Sequence, residues 1–206
     1  MSQLKYVLLA ILGLALGIAL ALGIRAIRTG SLFGPHEFNA GTLTPPEPVA
    51  DFTLTNQSGS QTSLSAYEGE VVALYFGYTY CPDVCPATLA DLARAREIMG
   101  EDGDDLQVIM VTADPARDTP ELLANYLDNF DRTFVGMTGS PEELAAVYSQ
   151  FGIFVQEREG ATEEAYLVDH TSSVIVIDKE MNWRLLIPFG MTQEAMATDL
   201  AYLVDE

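Results

Sequence analysis

Two cysteines are the residues of this chain whose chemistry is easiest to recognise. Cys81 and Cys85 are the only cysteines, and three residues, 82–84, separate them. A disulfide that closes so short a loop would stabilise the fold little, so a structural role ranks last. A redox pair of the thioredoxin kind normally has two intervening residues, which weakens that alternative. Two thiolates are also soft ligands, which select copper(I), zinc or iron–sulfur clusters.

A metal site would need a third ligand, and histidine is the natural one to look for. The chain has two histidines, and His36 falls in a stretch that reads as a linker. His170 comes just before the apolar run 174–177 and is therefore the candidate. A single histidine in such a place is more often a structural residue than a ligand. The residues by themselves leave the redox and metal alternatives open.

The elements around the cysteines predict where they lie. Residues 71–77 form a continuous apolar run with β-branched and aromatic residues, which predicts a buried parallel strand. Residues 87–99 carry apolar side chains at helical spacing. The cysteines are thus expected in a loop between the end of a strand and the start of a helix, where α/β sheets usually bind ligands and a thiolate is favoured.

Three separate motifs resemble one known family. They are Phe76–Thr79 leading into Cys-Pro-Asp-Val-Cys-Pro, the segment Val111–Pro120, and Val168-Asp169-His170. In this order they resemble the Sco/SenC family of membrane-anchored, thioredoxin-like copper proteins, which help to assemble the CuA centre of cytochrome c oxidase. The resemblance runs from about residue 51 to 204. It implies copper ligands at Cys81, Cys85 and His170. Many members have histidine where this chain has Tyr80, but that residue is not one of the family's ligands.

The resemblance implies a delivery protein more than an enzyme. The expected cofactor is copper(I), with copper(II) as a further option. The expected partners are the cytochrome c oxidase subunit that carries CuA or another copper protein, and a thiol reductant that keeps the two cysteines open. The alternative function is a thiol–disulfide oxidoreductase, with Cys81 and Cys85 as its redox-active pair. Against it, residues 142–187 contain no proline to stand beside the dithiol.

A peroxidase of the thioredoxin superfamily is a third possibility and has the least support. Such an enzyme needs a cysteine of low pKa beside an activating arginine. Arg94 is the nearest arginine to the cysteines in the sequence, and we expect no such activation.

The chain divides into three expected regions. Residues 1–28 form an N-terminal transmembrane anchor, because residues 6–24 are almost wholly apolar and long enough to cross a bilayer as a helix. Residues 29–48, rich in proline and glycine, form a tether. Residues 49–206 form the copper-binding domain. By the resemblance, the protein crosses the inner (cytoplasmic) membrane once, with its soluble domain on the periplasmic side.

The charge of the chain is strongly negative. It has 30 acidic and 10 basic residues, for a formal net charge of −20. Nucleic acid would be repelled by such a protein and is excluded as a partner.

The remaining pattern predicts an α/β fold of the thioredoxin-like kind, with a central mixed sheet flanked by helices. An N-terminal hairpin is expected from residues 51–55 and 62–64, and a C-terminal hairpin from 174–187. The apolar run 106–112 predicts a second central strand, which brings Asp114 and Asp118 to the edge that carries the cysteines. We expect structural roles for both aspartates. Residues 157–164 are expected to form a polar, mobile loop that leads to His170.

Overall fold

A computed structural model describes residues 6, 11–14, 16–20, 23, 36–158 and 166–206. The chain divides into two compact units, residues 1–38 with 206 and residues 39–205. In the first unit, residues 6, 11–14, 16–20 and 23 are helical. Within the described part of the chain, no helix has both the length and the apolar character that a membrane span needs. Most residues of the predicted anchor, 1–28, lie outside the described residues.

The second unit contains ten strands and four α-helices among its described residues. The strands are β1 Gly41–Pro48, β2 Thr53–Asn56, β3 Gln61–Ser63, β4 Val71–Gly77, β5 Leu106–Thr112, β6 Val135–Thr138, β7 Val155–Arg158, β8 Leu167–His170, β9 Val174–Ile177 and β10 Asn182–Ile187. The helices are α1 Val84–Met99, α2 Pro120–Leu127, α3 Pro141–Phe151 and α4 Gln193–Asp205, with short 3-10 turns at Leu64–Tyr67 and Gly100–Asp105.

Eight of these strands form one mixed sheet in the order β1-β10-β9-β4-β5-β6-β2-β3. The pairs β4–β5 and β5–β6 are parallel, whereas β9 runs antiparallel to β4. Strands β2 and β3 form the expected N-terminal hairpin, and β9 and β10 the expected C-terminal one. Helix α1 packs against α4, and α2 against β6. The predicted mixed α/β sheet with flanking helices is therefore confirmed.

Strand β4 lies at the centre of the sheet, and all seven of its residues are buried. Because successive side chains of a strand point to opposite faces, β4 contributes to two layers. Val72, Leu74 and Phe76 pack in one apolar cluster, together with side chains from α3. Tyr75 belongs to the other face of the strand, and its ring contacts His170. This fully buried strand thus ends at the site and contributes a side chain to it.

Two segments differ from their predictions. The last eight residues of the predicted tether, Gly41–Pro48, form edge strand β1, which pairs with β10. An edge strand tolerates proline because one side of its backbone needs no partner, so the prolines did not exclude a strand there. In the predicted loop 157–164, Glu157 and Arg158 belong to β7, which pairs with β8 in a separate hairpin. Residues 159–164 lie outside the described residues.

Candidate metal centre

Three potential ligands meet at one edge of the large sheet. The sulfurs of Cys81 and Cys85 and a ring nitrogen of His170 all lie within 4.8 Å of one another. The structure therefore brings together all three residues that the resemblance implied. No other group of this kind occurs among the cysteine, histidine and acidic residues that the structure describes.

Each ligand comes from a different kind of element. Strand β4 ends at Gly77, the loop that follows carries Cys81, and Cys85 lies in the first turn of α1. Helix α1 begins at Val84, earlier than the predicted residue 87. His170 is the last residue of β8, and β9 then runs beside β4, so that Val174 pairs with Tyr75. Antiparallel pairing therefore brings the histidine to the same sheet edge as the two cysteines.

Gly77 allows this close approach of strand and helix. A Cβ atom built on Gly77 would lie 2.7 Å from Cε1 of Tyr75 and 3.1 Å from Sγ of Cys85. The first distance is shorter than real side chains tolerate, and both neighbours are fully buried. The absence of a side chain at residue 77 thus leaves space for the Cys85 sulfur above the end of β4.

The His170 ring is held in one orientation. Its Nδ1 lies 3.0 Å from the carbonyl oxygen of Thr171. A carbonyl only accepts, so Nδ1 carries the ring proton and Nε2 is left with a free lone pair. This Nε2 lies 3.3 Å from Sγ of Cys85. The rings of Tyr75 and Tyr78 both meet the imidazole edge to face, with centroids at 6.1 and 5.8 Å. The nitrogen that faces the sulfurs is therefore the one that can bind a metal.

The two thiols have opposite acid–base character. The pKa of Cys81 is lowered, first by its hydrogen bond with the Cys85 side chain and further by the backbone amides of Asp83 and Cys85. One of these amides is that of Cys85, whose nitrogen lies 3.4 Å from Sγ of Cys81. The pKa of Cys85 is raised by the same pairing and by burial. The centre therefore holds one thiolate and one thiol, and the remaining thiol proton lies among the three donor atoms.

The donor set fits a soft metal ion. Three ligands at about 2.0–2.3 Å from one ion lie about 3.5–4 Å apart, so donors already within 4.8 Å need only a small adjustment. Thiolate and imidazole together suit copper(I) better than a hard cation. Cys85 is buried, whereas Cys81 is partly exposed. One side of the centre is therefore open to another molecule.

Asp118 fixes the loop before Cys81. It is buried, and it accepts hydrogen bonds from the amide and the hydroxyl of Thr79, the latter at 2.6 Å, and from the hydroxyl of Thr112 at 2.6 Å. The N-cap of α2 is Thr119, whose side chain accepts from the amide of Leu122, so Asp118 does not cap this helix. The role of Asp118 is structural, as expected, and it acts on the cysteine loop.

Arg117 was missed by the sequence analysis, which named Arg94 as the nearest arginine. Its guanidinium lies 3.6 Å from the ring centroid of Tyr166 and 4.7 Å from that of Tyr80. It also pairs with buried Asp114 at 2.5 Å and donates to the Tyr166 carbonyl at 3.1 Å. Asp114 in turn accepts from the Tyr166 hydroxyl at 2.7 Å. These four residues, named here the arginine cluster, join the cysteine loop to the chain that leads into β8.

A second contact joins the same two segments. The backbone amide of Val168 donates to the hydroxyl of Tyr78 at 3.3 Å. Tyr78 follows Gly77 directly, and Val168 precedes His170 by two residues. The arginine cluster and Tyr78 therefore both set the position of the histidine relative to the cysteines.

Comparison with known proteins finds similarity to Sco proteins in sequence and in structure. A SCO2-like protein of Rickettsia felis is 34% identical over 129 residues, which are 62% of this chain and 63% of the relative. The match thus spans less than two thirds of that relative's length. The copper-bound ScoI of Bradyrhizobium japonicum is 31% identical, with a TM-score of 0.70 over 76% of this chain and 99% of that one. The apo Sco1 protein of Thermus thermophilus is 37% identical, with a TM-score of 0.69 over 84% and 96%.

These structures agree with the fold expected from the resemblance, and the copper in the Bradyrhizobium protein agrees with the expected metal. The profile of the SCO1/SenC family matches residues 41–205, which is most of the sequence. The chain therefore belongs to the SCO1/SenC family.

Proposed function

We propose that this protein is a membrane-anchored copper metallochaperone. It binds copper(I) through Cys81, Cys85 and His170 and passes the ion to the cytochrome c oxidase subunit that carries CuA, or to another copper protein. Copper is cargo here, so the protein needs a site that both holds and releases it. The observation that carries the proposal is the cluster of two sulfurs and one imidazole nitrogen within 4.8 Å of one another.

The exposure of the ligands suits transfer by ligand exchange. Cys85 is buried and Cys81 is partly exposed. A ligand from the acceptor can approach the ion on the Cys81 side while Cys85 and His170 still hold it. If the ligands are replaced one at a time, the copper ion is never free. Release of a free ion would require breaking the bonds to all three ligands at once. Copper(II) at the same ligands is a further part of the proposal.

Anchoring and location are part of the same proposal. The apolar segment 6–24 would hold the protein in the inner membrane, with residues 39–205 on the periplasmic side. A membrane-bound acceptor would then be reached without free diffusion. Membrane fractionation, followed by protease treatment of intact spheroplasts, tests this: the domain should be digested from outside. Protection of the domain would place it in the cytoplasm and contradict the proposal.

Outside the cytoplasm the dithiol would also need a reductant. A disulfide between Cys81 and Cys85 would remove both sulfur ligands, so copper binding requires the reduced pair. We therefore include a thiol reductant among the partners.

The second candidate function is thiol–disulfide exchange, and the unequal thiols favour it. An exposed cysteine with a lowered pKa beside a buried one with a raised pKa is the arrangement of an attacking and a resolving thiol. Such a protein would reduce the cysteines of a copper acceptor or of another exported protein. His170 separates the two functions, because exchange needs the two sulfurs only.

A copper(I) titration of the reduced full-length protein in detergent, against a competing chelator, tests the first candidate. We expect one tightly bound copper per chain, and a loss of at least about tenfold in affinity in the His170→Ala variant. His36→Ala, which changes the other histidine of the chain, is the matched control and should bind as the wild type does. Equal affinity in all three proteins would contradict a three-ligand site.

A second measurement tests the delivery step and the alternative. The copper-loaded protein is mixed with the soluble CuA domain of an oxidase subunit, and copper is measured on each protein after separation. Transfer that is lost in the Cys81→Ser variant supports the chaperone. If copper stays in place while the reduced protein opens a disulfide in that domain equally well with and without His170, thiol–disulfide exchange is the better assignment.

A further inference from the structure

One buried polar atom beside the metal centre lacks a partner. The hydroxyl of Tyr75 is inaccessible to solvent and makes no hydrogen bond of ordinary geometry, and the side chains of Cys85 and Thr88 are the polar groups near enough to interact with it. The residue lies in the centre of β4 and is fully buried. Leaving a buried hydroxyl unpaired is costly, and a phenylalanine would fill nearly the same space without that cost. The hydroxyl is therefore expected to have a use that its present hydrogen bonds do not show.

The surroundings of Tyr75 indicate what that use is. The Cβ position built on Gly77 lies 2.7 Å from Cε1 of Tyr75 and 3.1 Å from Sγ of Cys85. Cε1 of Tyr75 and Sγ of Cys85 are therefore at most about 5.8 Å apart. The hydroxyl is bonded to the carbon next to Cε1. The Tyr75 ring also contacts the His170 ring, with an angle of 77° between them. Tyr75 therefore lies beside both the Cys85 side chain, with which its hydroxyl interacts, and the imidazole of His170.

Thr88 is the other polar neighbour that could pair with this hydroxyl. It lies one turn after Cys85 on α1 and is buried. Its own hydroxyl donates to the carbonyl of Val84 at 2.9 Å. The side chain of Cys85, by contrast, changes its hydrogen-bonding capacity when a metal binds. A protonated thiol is a weak acceptor, whereas a thiolate accepts strongly.

We propose that the Tyr75 hydroxyl is a hydrogen-bond donor reserved for the Cys85 thiolate of the copper-loaded centre. When copper(I) replaces the thiol proton of Cys85, the sulfur keeps a negative charge inside the protein, where water cannot solvate it. The hydroxyl of Tyr75 supplies the missing donor at that moment. Tyr75 is thus a positioning residue, which acts on the ion through its ligand. This inference rests on the proposed function, since it concerns the same site.

The substitution Tyr75→Phe tests the inference because it removes only the oxygen. The control is Tyr148→Phe: the Tyr148 hydroxyl donates to the carbonyl of Thr112 at 2.6 Å, and its ring packs on Phe76 of the same strand. A third variant, Thr88→Val, removes the alternative partner. The three variants and the wild type are compared in full-length form by urea unfolding without copper and by copper(I) competition titration.

The expected pattern separates a role in binding from one in folding. Without copper, Tyr75→Phe should be at least as stable as the wild type, and Tyr148→Phe less stable, because only the latter loses a made hydrogen bond. Copper(I) affinity should fall about tenfold in Tyr75→Phe and stay unchanged in the other two. The thiolate-to-copper charge-transfer band should move to longer wavelength in Tyr75→Phe, since a hydrogen bond lowers the energy of the sulfur lone pair.

Two results would overturn the inference while leaving the proposed function in place. In the first, the wild type binds copper tightly, and the Tyr75→Phe variant shows the same copper affinity and the same spectrum. The other is a Thr88→Val variant that loses affinity as Tyr75→Phe does, which would mean that the hydroxyl acts through the threonine. Failure of the wild type to bind copper would contradict the proposed function itself, and the inference with it.

Discussion

Sγ of Cys85 and Nε2 of His170 lie 3.3 Å apart, although the two residues are 85 positions apart in the sequence. Nδ1 of the same ring faces the Thr171 carbonyl, so Nε2 accepts and the proton between the two atoms belongs to the thiol. A copper(I) ion bound to both must take the place of this proton. Metal binding at the centre is therefore coupled to proton release.

The first prediction is the number of protons released. Cys81 has a lowered pKa and is a thiolate in the neutral range, whereas Cys85 has a raised pKa and keeps its proton. Binding copper(I) to two thiolates should therefore release about one proton per copper, from Cys85, and affinity should rise about tenfold per pH unit between about pH 6 and 8. Calorimetric titrations in buffers of different ionisation enthalpy measure this number. Release of two protons would mean that Cys81 is also protonated.

The second prediction concerns Arg117, which holds the cysteine loop and the chain before β8 together through Tyr80 and Tyr166. Arg117→Ala removes these contacts and leaves the Asp114 carboxylate buried without its cation. We expect about 3 kcal/mol less stability, as is usual when a buried ion pair loses one partner, and copper(I) affinity about tenfold lower. Amide hydrogen exchange of residues 167–170 should also become faster. Arg94→Ala, which breaks only an exposed pair with Glu97, is the control. Unchanged exchange in residues 167–170 would show that the arginine cluster does not position His170.

The third prediction follows from the close contacts of Gly77. In Gly77→Ala the new methyl group must displace the Tyr75 ring or the Cys85 sulfur, both fully buried. We expect a loss of about 1–3 kcal/mol in the free energy of unfolding, as for other overpacked cores, together with weaker copper binding. Gly41→Ala in strand β1 is the matched control, because its Cβ would make only ordinary contacts, the nearest at 3.5 Å. Equal stability of the two variants in urea unfolding would contradict the close packing at Gly77.

Much of this arrangement could be predicted from the sequence because it depends on local patterns. The uniform apolar run of β4 indicated a central buried strand, and the spacing of the cysteines after it indicated a strand-to-helix loop. Ser140 and Glu143 form a capping box at the start of α3, which is likewise a pattern visible in the local sequence. The pairing of His170 with the cysteines could be inferred only through the family resemblance, since neither spacing nor composition links residues 85 positions apart.

Other features could not be predicted because they depend on tertiary contacts. Arg117 reaches Tyr166, 49 residues away, across an interface between two loops, and no local pattern records such a contact. Strand β1 exists because β10 offers a free edge for pairing. The local sequence does not record this edge, so the prolines of β1 predicted a tether instead of a strand. In the sequence, Tyr75 does not differ from any other aromatic residue of a buried strand, so the lack of a hydrogen bond at its hydroxyl could not be predicted.

The fourth prediction is a pH dependence of stability that belongs to Asp118. Burial raises its pKa above the ordinary value of 3.8, even though Thr112 and Thr79 donate hydrogen bonds to it. A carboxyl group whose pKa is higher in the folded than in the unfolded state binds its proton more tightly when folded. Its contribution to stability is therefore greatest at low pH, and it falls as the pH rises from about 3.8 through the raised value.

The variant Asp118→Asn isolates this effect because its amide does not titrate. Like the protonated acid, the amide has an oxygen that accepts, for which the Thr79 amide is a donor, and a group that donates, for which the threonine hydroxyls can act as acceptors. The difference in unfolding free energy, wild type minus variant, should therefore decrease as the pH rises from about 3.8, and it should stay level above the raised pKa of Asp118. Urea unfolding of both proteins across this range measures the difference. An increase over the same interval would mean that the three hydrogen bonds outweigh burial and that Asp118 holds its charge to the benefit of the fold.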